Sequence, residues 1–240
     1  MRRRSIVAKV AVLAGVLSMS VLSSGVAVAT PPTGVILFTD LTRAQAVEGT
    51  SVQVKPGLDL VSGSYAIAPG GETGWRRLSG TSILAVNKGK MTVHRADGCG
   101  AKDYDLGQAS VLPAGEYLIR NSGKDPLEFF GVFINQPVAA PKPLVEGPSA
   151  AAPANCGAVS AASISASGVS LSSHRTATMV PGMFGRGASF DIEAGKDVFA
   201  DFLDIYPGWS SGWLSHRPAV NIMSGGVLSY VMARDGKCDT

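Results

Sequence analysis

The residues of this 240-residue chain best equipped for chemistry are few: three histidines (His94, His174, His216) and three cysteines (Cys99, Cys156, Cys238). The histidines share no spacing with one another or with a carboxylate that would hold a metal, and even an open catalytic zinc site takes three protein ligands. His94 lies in a strand-like run beside Arg95, where a solvent-facing side chain is expected, and neither it nor His174 has a predictable partner. Serine is abundant, yet no spacing commits one to a histidine base. A tighter polar and aromatic group is Trp75-Arg76, with Leu78 and Ser82 close behind. Strand residues two apart face the same side, so Arg76 and Leu78 share a face. An arginine there offers planar, bidentate hydrogen bonding suited to a carboxylate. The competing reading is an arginine that reaches the surface and pairs with Glu72 or Glu116, because an unpaired buried charge is costly.

The elements that must position these groups are short strands, and they recur. Ser51–Trp75 aligns without a gap on Ser189–Trp213, 138 residues later, and Gly57, Asp59, Ile67, Pro69, Gly70, Gly74 and Trp75 meet their own residue types. A period of this size points to two copies of one module rather than a solenoid. In the first copy, strands are predicted over 35–40, 51–55, 58–68, 82–86, 90–95, 108–112, 117–121 and 127–134, with turns at Pro69-Gly70-Gly71 and Asp97-Gly98 among others. A Pro- and Ala-rich strap and linker follows over 137–164. The second copy, 165–240, repeats strands at 169–174, 188–192, 198–205, 219–223 and 227–234. No stretch sustains an apolar period of 3.6, so the chain is expected to be all-β. By the offset, the second copy would need to run past Thr240 to finish. A truncated, poorly closed module is the leading expectation for it, with completion by another polypeptide or folding back on the first module as alternatives. Cys99 and Cys238 close the same part of the two copies and Cys156 closes the first, so Cys99–Cys156 is the natural disulfide. Cys238 is then left as a free thiol or an intermolecular bridge.

Residues 1–29 read as a removed signal peptide: Arg2, Arg3, Arg4 and Lys9 precede a weakly apolar run that closes on Ala27-Val28-Ala29. Export by the general or the twin-arginine route is left open by Arg3-Arg4, and a secreted, extracellular location is expected. Four of the 21 basic residues lie in this segment, leaving 17 against 18 acidic ones. A nearly neutral mature chain gives no electrostatic reason to bind nucleic acid or an anionic membrane, and no stable membrane insertion is expected after signal removal.

Two further spacings carry a resemblance. Gly70-x5-Arg76-x-Leu78-x3-Ser82-x6-Gly89 has the glycine and ligand spacing of the first cupin motif, and Gly107-x5-Pro113-x-Gly115 with Tyr117-x3-Asn121 is similar to the second, one residue short. Gly74-Trp75, Cys99, Arg120-Asn121 and Cys156 also fit the pattern of secreted cupin-like proteins. The resemblance implies a double-stranded β-helix, the jelly-roll barrel of cupins, over residues 30–136, with an incomplete second barrel from the duplicated part.

Metal-binding cupins hold a divalent ion with three histidines and a carboxylate. Those four positions here read Arg76, Leu78, Ser82 and Tyr117, and neither a guanidinium nor a leucine is a ligand. The resemblance therefore implies no metal and no other cofactor. In the second copy the histidine positions read Leu214 and His216, for which a structural or idle role is expected. If the family register holds, Trp75, Arg76, Leu78, Ser82 and Tyr117 line a pocket able to grip a small carboxylate or a polar aromatic. The leading expectation is a secreted, metal-free binding or interaction module. The alternatives are a metal-dependent dioxygenase- or isomerase-type enzyme with an atypical site, and a non-catalytic scaffold that self-associates through the open second module or Cys238.

Overall fold

The computed structural model describes residues 33–139, 142–147, 150, 153, 156, 167–178, 188–211, 232–234 and 237–239. The expected signal peptide, Trp213, Leu214 and His216 lie outside the described residues. Fourteen strands and no helix occur among those described, so the all-β reading holds, and no described helix is long and apolar enough to cross a membrane. Two compact units are recognised, residues 41–200 and residues 1–40 with 201–240.

Within residues 41–200 the architecture follows from one long strand. The strands are β1 (Ile36–Ala46), β2 (Thr50–Val54), β3 (Asp59–Leu78), β4 (Ser82–Lys88), β5 (Lys90–Arg95), β6 (Ala101–Asp105), β7 (Gln108–Leu112), β8 (Gly115–Asn121) and β9 (Leu127–Gln136). Residues 59–67 of β3 pair with β9, β9 with β4, and β4 with β7. Residues 72–78 of β3 pair instead with β8, β8 with β5, and β5 with β6. Every one of these ladders is antiparallel, and with the two halves of β3 counted as separate strands the two four-stranded sets make an eight-stranded jelly roll, the double-stranded β-helix. β3 makes the change without stopping, where the sequence predicts a turn. Gly70 and Gly74 take positive φ of 71° and 66°, a conformation that costs glycine little, and a bulge falls between Glu72 and Trp75.

Side chains that alternate inward meet in one core. Tyr65, Ile67 and Leu78 from β3, Leu84, Met91, Val93, Leu112, Tyr117, Ile119, Phe129 and Phe133 belong to a single buried cluster. Tyr65 stacks on Phe129 with ring centroids 5.2 Å apart and meets Phe133 edge-on at 6.0 Å. β6 escapes prediction because only Tyr104 of its five residues is buried. An edge strand of charged residues reads as a loop.

Three of the described strands of the expected second copy each pair with a strand of the first. β10 (Ser167–Thr178) adds antiparallel to residues 59–67 of β3, and β11 (Ala188–Ile192) pairs with β2. β12 (Asp197–Ile205) lies beside β1, where Ala46 donates to the Lys196 carbonyl and Arg43 meets Asp197 at 2.7 Å. Of the fates left open by the sequence, the described strands show folding back on the first module rather than an open, unpaired edge. The physical reason is that each finds a complementary ladder there. β13 (Met232–Arg234) and β14 (Lys237–Asp239) form a separate hairpin, and the backbone of Cys238 sits on β14.

In the unit containing residues 33–40 and 201–240, the Asp201 carboxyl is pushed up to about 6 by burial, then by its hydrogen bond to Asp40 and that neighbour's negative charge. Its Oδ1 is buried without a hydrogen-bond partner. A carboxyl raised on folding stabilises the protein while protonated and loses that contribution as pH climbs from its ordinary value through about 6. Asp201→Asn is therefore expected to raise the melting temperature at pH 7 to 8 and to flatten its fall between pH 4 and 6. A pH series of thermal melts checks this.

Candidate functional site

The five pocket residues expected from sequence do not share one face: four lie in the β3–β8 ladder and Ser82 lies on β4. Register sets Arg76 opposite Tyr117 and Trp75 opposite Leu118. Trp75 is fully buried and packs with Leu118 and Ala150, whereas Leu78 and Tyr117 belong to the main core. Ser82 is also fully buried, its hydroxyl 3.5 Å from the Gly80 carbonyl. Tyr117 donates to the Pro113 carbonyl at 3.0 Å, and burial pushes its phenol up.

Arg76 is buried and donates to two backbone carbonyls. Nε donates to the Thr73 carbonyl at 2.9 Å and Nη1 to the Gly147 carbonyl at 3.0 Å. Burial lowers the guanidinium's pKa, but an arginine stays charged in a protein. The carboxylates proposed for it have other arginines: Glu72 pairs with Arg120 and Glu116 with Arg77 at 2.7 Å. Gly147 belongs to the Pro-rich strap, which is tied again where Ala150 N–H donates to the Trp75 carbonyl at 3.0 Å. Leu144 of the same strap enters the main core. Trp75 and Arg76 thus hold the strap against β3 from neighbouring positions.

These residues do not fit the metal that the resemblance associates with their positions. Leu78 offers no donor, Arg76 is a cation engaged with two carbonyls, and the hydroxyls of Ser82 and Tyr117 point at backbone oxygens. Among the described residues no group of three or more His, Cys, Asp or Glu is placed to hold an ion. His94 is half-buried rather than solvent-facing, and burial followed by the positive charge of Arg120 lowers its pKa. His174 is exposed on β10, with the Thr176 hydroxyl 3.3 Å from Nε2.

Tyr117 does reach a cavity. A space of about 340 Å³ is lined by Ala96, Asp97, Ala114, Gly115, Glu116 and Tyr117. Arg95 grips Asp97 through Nε and Nη2 at 2.9 and 2.8 Å, which holds that carboxylate below its ordinary range. The same guanidinium lies 6.0 Å from the centre of the Tyr117 ring. A smaller cavity of about 150 Å³ opens beyond Arg95, among Glu48, Val93, Lys102, Tyr104, Val111 and Leu112. There Glu48 accepts from the Tyr104 hydroxyl at 2.6 Å and meets Lys102 at 2.7 Å, and burial with this hydrogen bond raises the Tyr104 phenol.

Cys99 and Cys156 form the expected disulfide, 57 residues apart in sequence. It anchors the loop between β5 and β6 that walls both cavities. On the chain-entropy account such a closure is worth about 4 kcal/mol. The cavity residues Arg95, Asp97 and Glu116 escape sequence reasoning, although Arg95-Ala96-Asp97, separated from Cys99 by Gly98 alone, was a usable signal. Gly208-Trp209-Ser210-Ser211-Gly212 also has the letters of a nucleophile elbow. That motif needs a strand-to-helix turn, but Ser210 instead bridges Thr33 between extended segments.

The tie between Arg76 and the strap has a measurable consequence. Replacing Arg76 by Met leaves the Gly147 and Thr73 carbonyls without their charged donor, and charged hydrogen bonds are worth about 1.5–3 kcal/mol each. The Arg76→Met protein is expected to lose about 2 kcal/mol by urea unfolding and to be cut within residues 137–166 by proteases that spare the parent.

No protein-family model matches this chain, and no curated protein matches it either. Solved structures do. An RmlC-like cupin family protein with a double-stranded β-helix fold from Methanocaldococcus jannaschii is 24% identical over 38% of this chain and 84% of its own, with a TM-score of 0.32. A cupin domain from Bordetella pertussis is 20% identical over 38% of this chain and 96% of its own, at 0.29. An uncharacterised double-stranded β-helix protein from Klebsiella pneumoniae is 20% identical over 37% and 77%, at 0.30. These likenesses are distant and concern the fold alone, while the strand order is set by the ladders of this chain itself. By those ladders, residues 59–136 form a double-stranded β-helix.

Proposed function

We propose that this chain is an exported, non-enzymatic binding module, and that its ligand seat is the cavity at which Tyr117 meets Asp97 and Glu116. The observation that carries the reading is the fate of the four metal positions: one is a strap tie, one is core, and two are hydroxyls turned to backbone carbonyls. A metal-dependent enzyme would need donors that these positions lack. What supports binding is a cavity of about 340 Å³, which lies at the low end of the ordinary range for small-molecule sites. Export is supported by the basic, then apolar, then small-residue order of residues 1–29 and by the disulfide, since such bonds persist in oxidising compartments.

The lining chooses between the two ligand classes suggested by sequence. A small carboxylate would face Asp97 and Glu116, two like charges whose arginines lie behind them and outside the lining. A polar aromatic bearing a hydrogen-bond donor or a cation meets two carboxylate acceptors instead. Titration of the full chain with tyramine, followed through the Tyr117 ring signals by NMR, is expected to show saturable shifts that weaken several-fold in Glu116→Gln. Benzoate is expected to leave the signals unmoved. Binding of benzoate without tyramine would reverse the ligand class, and the absence of any shift from either would overturn the binding reading.

A further inference from the structure

The ion pair between Arg95 and Asp97 is divided between two cavities. Asp97 lines the larger one, whereas Arg95 lines the smaller one together with Glu48 and Lys102. The larger lining therefore presents two carboxylates and no cation, while the smaller presents two cations and one carboxylate.

That single carboxylate is already engaged. Oε1 of Glu48 accepts from the Tyr104 hydroxyl at 2.6 Å and meets the Lys102 ammonium at 2.7 Å. Its Oε2 accepts from the Val111 N–H at 3.3 Å. The cations keep donors in hand, since an ammonium carries three and a guanidinium five. Arg95 turns Nε and Nη2 to Asp97, which leaves Nη1 without a hydrogen-bond partner among the described residues.

The rest of the lining is apolar and largely preformed. Val93, Tyr104, Val111 and Leu112 are buried, whereas Arg95 and Lys102 are exposed and reach solvent. Gly100 and Ala101 line the cavity where the loop after β5 enters β6. Arg95 N–H closes that loop onto the Gly100 carbonyl at 2.9 Å, and the Cys99–Cys156 disulfide anchors it. A wall held in this way spares a ligand the cost of ordering it. The volume of about 150 Å³ matches an apolar cavity that accepts one benzene ring. None of Arg76, Leu78, Ser82 and Tyr117 lines it.

We infer that this smaller cavity is a second binding site, for a short-chain monocarboxylate whose tail lies on Val93, Val111 and Leu112 and whose carboxylate meets Lys102 and Nη1 of Arg95. It selects the charge opposite to that of the proposed ligand seat. The inference does not rest on that seat being occupied.

Butyrate titrated into the full chain, followed through the Tyr104 ring signals by NMR, is expected to give saturable shifts. Butylamine has the same tail and the opposite charge, and is expected to leave those signals unmoved. Lys102→Glu reverses the balance to one cation and two carboxylates, and is expected to weaken butyrate several-fold. Lys102→Arg restores the cation and is expected to keep most of the affinity. Butylamine shifts as large as those of butyrate, or no shift from either, overturn the inference. So does butyrate binding that Lys102→Glu leaves unchanged. Should Lys102→Glu not fold, the contrast between butyrate and butylamine in the parent decides. Tyr104 reports this cavity and Tyr117 the larger one, so each reading can fail alone.

Discussion

β3 has to serve two sheets at once. Its first half is bonded on both sides, to β9 and to β10, and its second half to β8. The jelly roll follows from that single crossing, because each later strand returns to one half or the other. The crossing needs a backbone that bends without ending the ladder, which the glycines at 70 and 74 permit. It also places Trp75 and Arg76 just after the bend, on opposite faces of one short ladder. Both are tied to the strap, Trp75 through Ala150 and Arg76 through the Gly147 carbonyl.

A buried guanidinium in such a place has to be compensated, and here backbone carbonyls do it. A carboxylate ligand would have to compete with the two short hydrogen bonds that Arg76 donates to the Thr73 and Gly147 carbonyls, the second of which also holds the strap down. Moving Arg76 toward a ligand would release the covering of Trp75 as well. The position that would be chemical in a metal-binding cupin is therefore structural in this chain. The proposed ligand seat lies instead where the disulfide-anchored loop, Arg95 and Tyr117 meet.

How far the sequence was readable depended on the range of the interaction. β2 and β11 show alternating polar and apolar residues bounded by turn formers, and both appear close to where they were expected. Cys99–Cys156 was readable because each cysteine marks the end of a recognisable segment. The join of two strands through Pro69-Gly70-Gly71 was not, since a local turn signal and a bend within a strand look alike. The partner of Arg76 was hidden for another reason: a carbonyl at Gly147 has no side-chain signature, and the strap reads only as Pro-rich. Nor does any local pattern say that β10 and β12 will find the edges of β3 and β1. Only the exact offset between the copies hinted at it.

The central claim is that the cupin ligand positions of this chain hold the fold rather than a metal. The most direct measurement is a native mass spectrum of the untagged protein prepared without chelators. The account predicts a bare chain, lighter than its reduced form by the two hydrogens of one disulfide, with no metal retained. One iron, manganese, nickel or zinc ion per chain, surviving exchange into metal-free buffer, would contradict it.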